Sequence, residues 1–234
     1  MTRYEMEPLD RTAKSDKATL VTEITKDTRN KIADELDKRT KEHWLAPTVD
    51  GYIYGTTRAL DFGDFYGVLD KKALWEHAVN RNSDLFEYTQ LIELGDDNVP
   101  QYLTFRKASM HVNHNSHDPQ LAIGLVFDAT LVTSKYEDNH IVILFGIDKL
   151  KAPGIARRLE TYPDRLFTSM GCSIKSSICT ACGKKIFKDS ELCNCLKYSR
   201  GGRVRGKKVA ELLIRPNFYE QYIVTNAACP TAKV

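Results

Sequence analysis

Two stretches of this sequence hold residue types at spacings that permit chemistry. The first is C-T-A-C-G-K-K…E-L-C-N-C. It puts Cys179 and Cys182 two residues apart, then, ten residues later, Cys193 and Cys195 with one between them. Four thiolates can close a tetrahedral site around Zn²⁺, and Gly183 after the first pair lets the backbone turn its amides toward the sulfurs. A segment this short and polar has few other means of ordering itself. Such a site is structural, because sulfur fills every position and leaves none for water. Two other readings compete. Disulfides suit a reducing compartment poorly, and a redox C-x-x-C normally opens a helix in a βαβ unit that is missing here. The C-x-C pair is tighter than usual, which leaves room for Cys172 to replace one ligand; Cys229 reads as a small buried residue.

The second stretch is R-L-F-T-S-M-G-C-S-I, with Ser169 two residues before Gly171. Some fifty residues earlier, M-H-V-N-H-N-S-H-D-P holds His111, His114 and His117 within seven positions. A serine hydroxyl becomes a nucleophile only with a base in reach, donors for the developing oxyanion and a group that holds the base. A glycine at the second position lets the backbone approach a substrate carbonyl. His117, beside Asp118-Pro119, reads as a turn residue.

Several elements must position these groups. Residues 1–17 are polar and lack periodicity. From Lys17 to His43, Leu20, Ile24, Ile32 and Leu36 form a thin apolar stripe on one long amphipathic helix. After residue 50 the texture turns β-like. A short helix is expected over 71–82, strands over 101–114, 121–134 and 140–150, and a helix over 152–163 with Ile155, Leu159 and Tyr162 on one side. R-L-F-T-S-M-G-C-S-I, K-V-A-E-L-L-I and Y-E-Q-Y-I-V-T-N-A-A supply later strands. The pattern predicts an α+β fold: an antiparallel β-barrel or sheet core with peripheral helices, the long N-terminal helix and a small zinc-binding insert. The domain reading is an arm over 1–46 and one domain over 47–234, with the insert at about 172–208.

The 234 residues suffice for one substantial core, and 42% apolar content is ordinary for a globular protein. No apolar run reaches the roughly 18 residues of a membrane span, and the N-terminus lacks the apolar stretch of a secretory signal, so a reducing cytoplasmic setting is expected. The net charge of +3 does not by itself call for nucleic acid. K-Y-S-R-G-G-R-V-R-G-K-K (197–208), with six Lys/Arg and no acid, can touch phosphates or simply be a solvated basic loop.

In order and texture the chain from about residue 50 onward resembles the prohead (capsid maturation) serine proteases of tailed bacteriophages, distant relatives of the herpesvirus assembly proteases. Asn113-His114 ahead of Ile123-Gly124 matches that family's histidine element. Ser169-Met170-Gly171 matches its S-hydrophobic-G nucleophile. Glu220, followed by Ile223-Val224 and A-A-C-P-T-A, resembles its C-terminal acidic element, although Tyr222, Ala227 and Cys229 depart from the pattern. The resemblance implies Ser169 as nucleophile, His114 as base and then acid, Glu220 as the group that orients the imidazole, and oxyanion donors around Gly171. His111 is the alternative base. It further implies scaffold and major capsid proteins as substrates, self-cleavage and possible self-association, and work in the host cytoplasm inside the procapsid. Large-phage members carry a Cys/His insert after S-M-G-C. A zinc-containing nucleic-acid-binding module and an inactive protease-like structural protein of the head are the competing readings.

Overall fold

A computed structural model describes residues 51–69, 75–114, 118–133, 139–162 and 165–224. The arm at 1–46, its amphipathic helix, His117 and Cys229 lie outside the described residues. Among the described residues twelve strands follow in chain order: β1 (Tyr52–Asp61), β2 (Asp84–Leu85), β3 (Ser109–Val112), β4 (Gly124–Val132), β5 (His140–Asp148), β6 (Phe167–Ser173), β7 (Ser176–Cys179), β8 (Lys185–Ile186), β9 (Arg203–Val204), β10 (Lys207–Lys208), β11 (Glu211–Ile214) and β12 (Asn217–Val224). The α-helices are α1 (Tyr88–Ile92), α2 (Pro153–Thr161) and α3 (Asn194–Ser199). Among the described residues no helix is long and apolar enough to cross a membrane.

Six strands form one sheet in the order β1-β5-β4-β3-β12-β6. The sequence reading of an antiparallel core needs one amendment, because β12 runs parallel to β3 and antiparallel to β6. Register shifts in β1, β4 and β12 add twist at three points. The sheet curls into a half-barrel, and its two outermost strands touch: Thr57 Oγ1 of β1 lies 3.1 Å from Thr168 Oγ1 of β6, both buried. Inside, Phe62, Phe105, Phe145, Phe218, Met110 and Ile143 form part of one contiguous core. Helix α2 lies on β1 and β5. It buries Ala156 and Leu159, whereas Tyr162 is 51% exposed under the Arg165 guanidinium, so Tyr162 is not on the packed face.

Two predicted elements differ. The strand expected over 101–114 begins as a 3₁₀ helix, Gln101–Lys107, and only Ser109–Val112 is strand. Pro100 starts the turn and Thr104 Oγ1 donates back to the Gln101 carbonyl at 2.7 Å. Tyr102 and Phe105 then meet the core at the three-residue repeat of such a helix. Of the helix expected over 71–82, the described part is one 3₁₀ turn, Trp75–Ala78. Asn80 ends it, because its Oδ1 accepts from Asn82 N and Asp84 N, both at 2.9 Å.

Gly124 fixes where β3 lies. Its backbone is opposite Met110, and Ile123 N donates to the Met110 carbonyl at 2.7 Å. A Cβ at 124 would meet the Gly146 carbonyl oxygen at 2.0 Å, so only glycine allows β4 this close to β5.

Candidate functional site

The strand register brings the far-separated sequence elements together. Tyr222 of β12 pairs with Ser169 of β6 on one side and with His111 of β3 on the other. Directly opposed residues share a face of a sheet, so Ser169, Tyr222 and His111 make one row across three strands. The next row is Gly171, Glu220 and Ser109. Gly171 verifies the facing: a Cβ there would meet Glu220 Oε2 at 3.2 Å and the Tyr222 hydroxyl at 3.3 Å. The opposite face carries Met110, Val112, Met170, Cys172 and Ile223 into the core. All candidate groups therefore lie on the face away from that core.

His114 reaches this face by a device that strand alternation does not foretell. A spacing of three from His111 would point the two rings to opposite sides. Beyond Val112, however, Asn113 N still donates to the Ile223 carbonyl at 3.0 Å. Asn113 and His114 then both adopt left-handed backbone, with φ of 51° and 56°. Two consecutive residues of this kind cost of order 1–3 kcal/mol each, and such strain gathers at functional sites. The turn swings the exposed His114 ring over Tyr222, with ring centroids 4.1 Å apart and planes at 47°.

The two histidines have different surroundings. His111 is 2% exposed, and its Nε2 lies 2.8 Å from Ser109 Oγ. His114 sits at the surface, where a leaving group or water can reach it. Ser169 is half-buried on β6. The carboxylate of Glu220 accepts a hydrogen bond from the Tyr222 hydroxyl. The acid assigned to the imidazole by resemblance thus meets a phenol, and that phenol's ring faces the imidazole. Sequence reasoning treated Tyr222 as a departure from the pattern and gave Ser109 no role. The two-residue spacing from Glu220 to Tyr222 was the available signal for the first.

The second candidate site is the cysteine cluster. The sulfurs of Cys179, Cys182, Cys193 and Cys195 all lie within 4.8 Å of one another, and this group can hold a metal ion. Zn–S bonds of about 2.3 Å put tetrahedral sulfurs about 3.8 Å apart, so the donor set fits a four-sulfur ion. Gly183, at φ +74°, returns its N–H to the Cys179 carbonyl at 2.8 Å and closes the knuckle. Burial pushes the Cys179 thiol up to about 12. Burial also raises Cys193, but the Leu196 N–H together with the Cys182 and Cys179 thiols outweighs it, and the net direction is down. Cys172 takes no place in this cluster. It follows Met170 on the inward face of β6, and burial pushes its thiol up to about 12.

Of the six basic residues in 197–208, three hold this region to itself and to the body. Arg200 pairs with Glu211 and Asp84, Arg203 with Glu76, and Lys208 Nζ donates to the Gly201 carbonyl. Lys197, Arg205 and Lys207 are exposed. No protein-family model, curated protein or solved structure matches this chain.

Proposed function

We propose that the protein is a serine endopeptidase of the prohead type, which cleaves scaffold and capsid-protein propeptides, and itself, inside an assembling procapsid. One observation carries this reading: Ser169, Tyr222 and His111 share a row on three neighbouring strands, and the His114 ring lies against Tyr222. In this reading Ser169 Oγ attacks the scissile carbonyl while His114 takes its proton, and His114 then gives that proton to the leaving amine. Water enters next and releases the acyl group by the same steps in reverse order of partners. His114 suits the base role better than His111, which is buried and already bonded to Ser109. Backbone N–H groups about Gly171 supply the oxyanion donors.

The cysteine cluster is read as a Zn²⁺ site with Cys179, Cys182, Cys193 and Cys195 as ligands. Bound Zn²⁺ would cross-link the segment and supply no reaction chemistry, since four thiolates leave no open position.

The test is self-processing and labelling by a fluorophosphonate probe. The native chain is expected to show both. Ser169→Ala should lose both, with cleavage falling at least about 10³-fold and the circular dichroism spectrum unchanged. Equal processing by the alanine variant rules the reading out.

A further inference from the structure

We infer that Tyr222 is the positioning residue of the site, coupling the Glu220 carboxylate to the His114 ring; this deepens the peptidase reading and rests on it. His114 is a surface residue on a left-handed turn, and a free imidazole there would sample several rotamers. The group against its ring is Tyr222, at 4.1 Å between centroids. Tyr222 is itself fixed. It is 4% exposed although it lies on the outward face, and it stands mid-row between β6 and β3. Its hydroxyl is anchored on Glu220 Oε2. Gly171 is the floor under that bond, since a Cβ there would press on both the phenol oxygen and the carboxylate.

The sequence of contacts is therefore carboxylate, phenol, imidazole, in place of a direct carboxylate–imidazole bond. Such a chain performs two tasks. It holds the ring in one orientation against Tyr222. It also sets an aromatic face against the imidazolium that forms when the Ser169 proton moves, an arrangement that attracts cations. The carboxylate adds to this by accepting a hydrogen bond from the phenol, which makes the ring more electron-rich. Tyr222 touches no reacting atom in this scheme; it acts through His114.

Two substitutions separate ring from hydroxyl in the full chain. Tyr222→Leu removes both and Tyr222→Phe keeps the ring. With a peptide substrate, Tyr222→Leu is expected to lower kcat about 10²-fold with KM within twofold, the cost of a misplaced base. Tyr222→Phe, which keeps the ring and loses the bond to Glu220, is expected to recover part of that loss and to stay below the native kcat. In parallel, the ¹H shifts of the His114 ring, assigned with His114→Gln, should show an upfield ring-current shift in the native chain. Tyr222→Phe should retain it and Tyr222→Leu should lose it.

The inference is overturned if the Tyr222→Leu variant keeps native kcat, or if its His114 shifts do not move. Should that variant fail to fold, Tyr222→Phe decides alone: a His114 ring shift unlike the native one counts against the ring contact, and a native-like shift with reduced kcat supports the relay. A native chain that cleaves nothing, yet loses the His114 shift in Tyr222→Leu, ends the peptidase reading and upholds the coupling of the two rings.

Discussion

The half-barrel and the cysteine module are held together by different physics. The barrel buries a core of more than twenty residues, among them the stacked Phe105–Phe218 pair with ring centroids 4.0 Å apart. The module has Cys179, Ile186, Leu196 and Val209 as its fully buried apolar residues, and one of those four is itself a ligand candidate. Apolar burial at about 25 cal/mol per Å² can order the first region. The second has little surface to bury; an ion held by its four cysteines would order it, and its neighbours add to this. Those neighbours are specific. Strand β11 pairs antiparallel with β7 of the module and parallel with β2 of the body, so one four-stranded sheet welds the two regions.

Removing the metal should break the contrast most severely. Cys182→Ser, or a strong chelator, is expected to melt 180–208 while the barrel stays folded, because structural zinc in small modules is worth about 10–16 kcal/mol of apparent binding energy. Hydrogen exchange resolves the two regions, and metal analysis should fall from one ion per chain to none. Loss of barrel protection at the same time would show that the two are not separately held. The converse is Phe105→Ala, which removes a fully buried ring from the stacked pair and should cost the barrel about 3–5 kcal/mol. Chemical denaturation measures this, and metal content should not change.

The barrel seam offers a subtler test. Thr168→Val leaves the buried Thr57 hydroxyl without its Thr168 partner and is expected to cost about 1–3 kcal/mol; adding Thr57→Val should recover part of that. A double-mutant cycle by thermal unfolding gives the coupling. Least of all should come from Arg203→Ala, which cuts a surface ion pair from the module to Glu76. About 0–1 kcal/mol is expected by urea titration, and a larger value would mean that surface charge, rather than the shared sheet, joins the regions.

The same contrast explains what could be read from the chain beforehand. The cysteine cluster was legible because its geometry is local: Cys179, Cys182 and Gly183 lie within one turn, and spacing alone identifies such a knuckle. Strands β4, β5 and β6 and helix α2 were legible from density of apolar residues and from period. The row at 169, 222 and 111 was not, since register between strands so far apart in sequence leaves no periodic trace; the resemblance named Ser169, His114 and Glu220, and Tyr222 stood in it only as a departure. The reach of His114 depends on two backbone angles of opposite sign to those of a strand, and alternation misleads there. Cys172 shows the reverse case, where simple alternation from Ser169 already turns the thiol inward and away from the other four. The 3₁₀ stretch at Gln101–Lys107 reads like a strand because its aromatic residues are dense, while Pro100 and the Thr104 back-bond decide otherwise.

The parallel seating of β12 beside β3 has a temporal meaning. The last of the described strands is not at a margin of the sheet but between two strands made earlier, and it brings both Glu220 and Tyr222. Until it inserts, Ser169 and the histidines belong to separate flaps with a gap where the row should be. A chain from which β12 has not yet emerged therefore holds the row at 169, 222 and 111 unassembled.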